Sequence, residues 1–178
     1  MAVREVKVCL LGESGVGKSS IVLRFVNDSF KPALESTIGA SFMTKRLDVD
    51  GVSYQFQIWD TAGQEKATFR TVKDWVRELK RNCTTDLVLA IAGNKSDLND
   101  LREVRVREAE EYAQSIGAHF IETSALSAIN VPQLFKAIAE ELPPEDSISV
   151  RPGSTVHLRR HDENKETQTS CCGSKKSR

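Results

Sequence analysis

Apolar and polar positions alternate along this chain with two different periods, and those periods divide it into strands and helices. Residues 6–11 form an apolar run, and residues 87–92 form another. Between them, 41–49 and 53–59 read as strands, with Tyr54, Phe56 and Ile58 on one side and Gln55 and Gln57 on the other. Asp50-Gly51 between two alternating segments signals a tight hairpin. Helical spacing brings Val106, Ala109, Tyr112, Ala113 and Ile116 onto one stripe, and Leu134, Phe135, Ile138 and Leu142 onto another. Both stripes read as core. The prediction is strand 5–11, helix 17–26, strands 41–49 and 53–59, helix 69–81, strand 87–93, helix 104–116, strand 119–123 and helix 131–141. Such alternation points to an α/β domain with a mostly parallel sheet. No internal repeat of about 20–50 residues is evident.

Composition narrows the class. With 178 residues, 39% of them hydrophobic, the chain is one domain's worth. No apolar stretch approaches the roughly 20 residues of a membrane span, and no secretory N-terminus is expected. Cys9 and Cys83 are too far apart to announce a disulfide framework or a metal site, and read as packing or surface thiols. Pro143-Pro144 stops the last helix, so residues 1–143 are the expected domain and 144–178 a polar, disordered tail. Within 151–178, seven basic residues face three acidic ones, next to Cys171-Cys172. A cysteine pair with electrostatic support reads as a lipid anchor for a membrane surface. No nucleic-acid partner is expected.

The strongest chemical signal follows the first strand. Gly12-Glu13-Ser14-Gly15-Val16-Gly17-Lys18-Ser19 is glycine, four residues, then Gly-Lys-Ser, between an apolar run and a helix. A curled backbone there points successive N–H groups inward, and the helix adds its positive end. Ser14, Gly15, Val16, Gly17, Lys18, Ser19 and Ser20 are the expected phosphate contacts, with Lys18 on the outer phosphates and the Ser19 hydroxyl on Mg²⁺.

Asn94-Lys95-Ser96-Asp97 follows the second apolar run, at the strand end where ligands collect in open α/β sheets. The Asp97 carboxylate can accept both N–H donors from one edge of guanine, which adenine does not offer. Ser124-Ala125, after the short strand at 119–121, repeats that placement one strand further on. Asp60-Thr61-Ala62-Gly63-Gln64 closes strand 53–59. Asp60 is expected to hold Mg²⁺ through water, Gly63 to offer its N–H to the terminal phosphate, and Gln64 to orient the attacking water.

Together these segments resemble the Rab small GTPases. Ser36-Thr37-Ile38-Gly39-Ala40-Ser41-Phe42, Ile58-Trp59-Asp60-Thr61-Ala62-Gly63-Gln64-Glu65, Gly93-Asn94-Lys95-Ser96-Asp97-Leu98 and Glu122-Thr123-Ser124-Ala125 are most similar to the endosomal branch, and the resemblance runs from about residue 6 to 142. It implies a three-layer P-loop NTPase fold that binds GTP or GDP with Mg²⁺. It implies that Thr37 belongs to the first switch and completes the Mg²⁺ shell beside Ser19 and Asp60, and that Phe30 lies against the nucleotide; ordinary packing is an equal reading of Phe30. Leu126 stands where the family usually places a Lys over the base, which implies weaker guanine binding. Exchange factors, GTPase-activating proteins, a GDP-dissociation inhibitor and effectors are the implied partners. The implied location is the cytoplasm and the cytoplasmic face of endosomal membranes. The family's geranylgeranylated cysteine pair ends the chain or nearly so, whereas six residues follow Cys171-Cys172. Prenylation, palmitoylation and no modification all stay open.

A larger departure follows Glu65. The next residues, Lys66 to Val76, already match the family's later helix with its Trp-Val pair, here Trp75-Val76. Roughly two dozen residues, enough for the second-switch helix and one central strand, are missing by that comparison. If that strand carried about four buried apolar side chains, its loss removes on the order of 8 kcal/mol, against about 5–15 kcal/mol for a whole domain. The sheet then either keeps a slot or slides the 87–92 strand over to the first, moving the Asn94 loop by about 4.8 Å. Three readings follow: a GTP-operated vesicle-traffic switch, a binding-only relic that holds nucleotide weakly and does not switch, and a truncated product without activity. A nucleotide kinase is the outsider, since it needs neither Asn94-Lys95-Ser96-Asp97 nor a tail cysteine pair.

Overall fold

The computed structural model describes residues 3–63, 69–82 and 87–143. Its elements run β1 (Val3–Leu10), α1 (Lys18–Asn27), β2 (Ala40–Val49), β3 (Val52–Thr61), α2 (Phe69–Asn82), β4 (Ala90–Gly93), a 3₁₀ turn (Asn99–Leu101), α3 (Val106–Ile116), β5 (His119–Glu122) and α4 (Val131–Glu140). The α/β class and the order of elements are those the periodicity predicts.

The period-two segments pair in the register their side chains require. β2 and β3 form an antiparallel hairpin, and β3 pairs in parallel with β1, with Val6 opposite Phe56 and Val8 opposite Ile58. One face of β3, carrying Tyr54, Phe56 and Ile58, is buried, while Gln55 and Gln57 on the other are half-buried. Helices α1 and α4 cover the buried face. Phe25 of α1 stacks on Phe135 of α4 with centroids 3.7 Å apart, and both meet Phe56 edge-on at 5.7 and 5.6 Å. Edge-to-face and stacked rings are the arrangements their quadrupoles favour. Ala109 and Ala113 on α3 are buried as the helical stripe predicts, with Val106, Tyr112 and Ile116 half-buried.

The strands make two sheets among the described residues, β1-β3-β2 and β4-β5. The slot therefore persists. β4 does not slide to pair with β1, so each of these strands has a ladder partner on one side only. Two expected boundaries move for the same reason. β4 begins at Ala90 rather than 87, because its ladder follows the four residues of β5 and the bond from His119 N–H to the Leu89 carbonyl, 3.0 Å, ends it. β1 begins at Val3, where Ser53 of β3 still faces it. Only Val6 of β1 is fully buried, whereas a strand in the middle of a parallel sheet is normally covered on both faces.

Candidate functional site

β1 runs straight into the glycine-rich loop, and α1 starts from it. Gly17, the residue before α1, has φ 94°, and a Cβ there would stand 2.4 Å from Asn94 Nδ2. Only glycine fits both the left-handed backbone and that approach. Lys18 is 9% exposed and folds back over the loop, donating from Nζ to the Gly12 carbonyl at 2.9 Å and the Glu13 carbonyl at 2.7 Å. Desolvation lowers the pKa of its ammonium, and the Asp60 carboxylate opposes the shift.

Three oxygen side chains meet beside Lys18. Ser19 Oγ and Thr37 Oγ1 share a hydrogen bond of 2.7 Å, and Thr37 Oγ1 donates to Asp60 Oδ2 at 3.4 Å. Asp60 is 3% exposed, and its Oδ1 is buried without a hydrogen-bond partner in the described structure. A buried carboxylate oxygen left unpaired is costly unless a cation or donor meets it. Two hydroxyls and a carboxylate are hard oxygen ligands of the kind Mg²⁺ takes, so these residues fit that ion. Glu13 Oε1 is a second buried acceptor without a partner, and nothing in the structure explains it.

On the far side, Asn94 is the junction. Its Nδ2 donates to the Val16 carbonyl at 2.9 Å, and its Oδ1 accepts from Thr123 Oγ1 and from the Ala125 N–H, both at 3.3 Å. Ser124 is fully buried and donates from Oγ to Asp97 Oδ1, which aims the carboxylate while leaving its other oxygen free of this bond. Arg24 of α1 ties the neighbouring loop to the helix, donating to the Ala125 carbonyl at 2.9 Å and the Leu126 carbonyl at 3.1 Å.

Between these poles lies a cavity of about 370 Å³, within the range of small-molecule sites. Ser14, Gly15, Gly17, Lys18, Ser19, Ser20, Phe30, Thr37, Gly63, Asn94, Lys95, Asp97, Ala125 and Leu126 all line it. Of the other expected residues, Val16 contributes its carbonyl to Asn94, Ser124 supports Asp97 from beneath, and Asp60 stands behind Thr37. Phe30 lines the cavity and also packs on the core. Leu126 is 52% exposed at the rim. Gln64, Cys171 and Cys172 lie outside the described residues. Sequence reasoning missed Leu34, Glu35 and Ser36 in the cavity wall. Their signal was position, on the aperiodic stretch joining Phe30 to Thr37. For Arg24 the sequence offered none.

Comparison with known proteins agrees with this geometry. The family model described as Ras family matches residues 7–68 and 65–143, in two pieces. Ras-related protein Rab-22A of Mus musculus is 47% identical over 196 aligned positions, covering 97% of this chain and all (100%) of that protein. Rab-22A of Homo sapiens gives the same figures, 47% over 196 positions. Ras-related protein Rab-31 of Rattus norvegicus is 49% identical over 170 positions, 82% of this chain and 87% of that protein. An alignment of 196 positions is longer than the 178-residue chain, so the chain leaves gaps against this relative.

Proposed function

The chain belongs to the Ras family and, within it, to the Rab proteins, and from that premise we propose that its cavity binds GTP or GDP with Mg²⁺ as a switch in endosomal vesicle traffic. One observation carries this reading: three loops distant in sequence, at 14–20, 94–98 and 125–126, converge on one cavity with Ser19, Thr37 and Asp60 at its phosphate end.

In this reading the loop amides and Lys18 hold the phosphates, and α1 adds its positive N-terminus. Ser19, Thr37 and Asp60 hold Mg²⁺, which when bound neutralises phosphate charge. Asp97, aimed by Ser124, reads the guanine edge, while Asn94 joins the two loops and Leu126 and Phe30 give apolar cover. Gly63 turns its N–H to the terminal phosphate, and Gln64 orients the attacking water. Thr37 and Gly63 bind differently with and without that phosphate, which is what lets hydrolysis release the segments around them. Exchange factors, GTPase-activating proteins, a GDP-dissociation inhibitor and effectors follow from Rab membership. The 144–178 tail, lipidated at Cys171 and Cys172, supplies the attachment to the cytoplasmic face of endosomal membranes.

Titration with fluorescent GDP, GTP and ATP tests the reading. Guanine nucleotides should bind in a Mg²⁺-dependent manner and ATP should not compete; equal affinity for ATP overturns it.

A second reading has its own support. The sheet in two parts, the family match in two pieces and the gapped alignment all fit a chain with an internal deletion near residue 65, which holds nucleotide weakly and does not switch. Melting with nucleotide and single-turnover hydrolysis separate the two. A ligand at 100 times its Kd adds about 2.7 kcal/mol, so a melting shift without phosphate release leaves this second reading alone.

A further inference from the structure

Arg24 lies six residues beyond Lys18 on α1, roughly 9 Å along the helix from the phosphate end of the cavity at 1.5 Å per residue. Its side chain is 14% exposed, and its guanidinium is engaged on every nitrogen. Nε donates to the Ala125 carbonyl at 2.9 Å and Nη2 to the Leu126 carbonyl at 3.1 Å, while Nη1 donates to the Asp28 carbonyl and to Asp28 Oδ1, both at 3.0 Å. A planar fork of N–H donors can hold two carbonyls of a loop and its own helix end at once, which a single ammonium cannot. Asp28 is where α1 stops, at a left-handed φ of 49°, and its N–H donates to the Arg24 carbonyl at 3.0 Å. Because the Asp28 side chain is 88% exposed, the ion pair adds little stability of its own. It orients the guanidinium.

The loop that Arg24 reaches supports its own shape. The Ser124 N–H donates to the Ile129 carbonyl at 3.0 Å, the Ser127 N–H to Ser124 Oγ at 3.1 Å, and Asn130 Nδ2 to the Glu122 carbonyl at 2.9 Å. What Arg24 adds is the position of that loop relative to α1. Ala125 and Leu126 line the cavity, as do Lys18 and Ser19 at the start of the same helix. Backbone pairing between β1 and β4 does not set the spacing, since the two strands share no ladder among the described residues. We propose that Arg24 is a positioning residue for the base: it fixes Ala125 and Leu126 at a set distance from the phosphate loop and so governs how long a guanine nucleotide stays bound. Leu126 is 52% exposed and gives the base apolar cover alone, so a small outward shift of its backbone admits water. The proposal rests on the guanine-nucleotide reading above, and its experiment separates the two.

Release of fluorescent GDP from the full chain with Mg²⁺ tests it, beside inorganic pyrophosphate as a competitor that meets the phosphate end alone. Arg24→Met keeps the stem and removes the fork. It should release GDP about ten-fold or more faster, while the inhibition constant of pyrophosphate stays within about two-fold of the unmutated value. Arg24→Lys should release GDP nearly as fast as Arg24→Met, because one ammonium does not hold both carbonyls. Lys45→Met is the control: it removes the bond from Nζ to the Val26 carbonyl, 3.1 Å, at the same end of α1 without touching the loop. Its GDP release should match that of the unmutated chain. Equal acceleration by Lys45→Met, or pyrophosphate weakening in step with GDP, would trace the effect to α1 as a whole and overturn the proposal. Unchanged release from Arg24→Met overturns it as well. Hydrogen exchange on nucleotide-free protein is the second measurement. Amides of 125–127 should exchange about ten-fold or more faster in Arg24→Met while those of 133–140 in α4 keep their rates. Unaltered exchange at 125–127 sinks the idea whatever the nucleotide. If the unmutated chain shows no preference for GDP over ADP, the guanine reading itself fails and this proposal goes with it; faster exchange at 125–127 with unchanged GDP release overturns the proposal alone.

Discussion

Asn94 and Val16 are joined by one hydrogen bond, Nδ2 to the backbone carbonyl at 2.9 Å, between the loops that follow β4 and β1, two strands that share no ladder among the described residues. That bond aligns the loop after β4 with the loop after β1 although their strands do not touch in a ladder. The Thr123 and Ala125 groups on its Oδ1 bring the β5 loop into the same arrangement. One amide side chain thus holds together the two ends of the cavity.

Asn94→Ala should therefore damage both stability and binding. It removes the partner of the Val16 carbonyl, where the bond is exposed and water replaces it, and of the part-buried Ala125 N–H, whose loss costs about 1–3 kcal/mol where water does not reach it. Urea unfolding should show a loss of that order, and guanine-nucleotide affinity should fall about ten-fold or more. Wild-type affinity in the variant would mean that other contacts align the loops.

Lys18 gives a pH dependence with a definite sign. Its folded pKa is lowered from the ordinary 10.5, first by desolvation, with Asp60 opposing. Between the lowered value and 10.5 the unfolded chain holds more protons than the folded one, so nucleotide-free stability rises with pH in that window. A bound phosphate favours the ammonium, so affinity should fall as pH climbs through the lowered value, and binding there should take up protons. Calorimetry in buffers of differing ionisation enthalpy reads the uptake, and Lys18→Met should abolish it.

Most of this arrangement was written locally. The loop before α1, the alternation of β3 and the Asp50-Gly51 turn depend on neighbours a few residues away, and each appears where the sequence places it. What could not be read depends on contacts between distant segments. The length of β4 is set by β5, the reach of Arg24 to the Ala125 carbonyl crosses 101 residues, and the seating of 34–36 in the cavity wall follows from where Phe30 and Thr37 are held. Whether β4 pairs with β1 was likewise not legible, and among the described residues the two strands lie in separate sheets.

Gly63 lies so close to the glycine-rich loop that its own side chain position is filled. A Cβ there would stand 2.1 Å from the Ser14 nitrogen and 2.4 Å from the Glu13 carbonyl carbon, both backbone atoms. Gly63→Ala must push the two segments apart, which in packed surroundings costs about 1–3 kcal/mol. A lower melting temperature should accompany weaker nucleotide binding. An unchanged melting temperature would show that this approach is loose in solution.

Phe135→Ala is the test of the core that survives the divided sheet. Phe135 is 1% exposed and is stacked on Phe25 and edge-on to Phe56, so it joins α4 to α1 and β3 at once. Truncating a buried phenylalanine costs about 3–5 kcal/mol, against a total of about 5–15 kcal/mol for an ordinary domain. With β1 covered on one edge only, this protein should sit toward the low end of that range. The variant is expected to lose cooperative urea unfolding, while Phe135→Leu, which keeps most of the volume, should retain it with a lowered midpoint. GDP with Mg²⁺ should raise the midpoint of Phe135→Leu, because the cavity residues are not among those replaced. If Phe135→Ala unfolds at the wild-type midpoint, the three rings are not what holds α1 and α4 on β3.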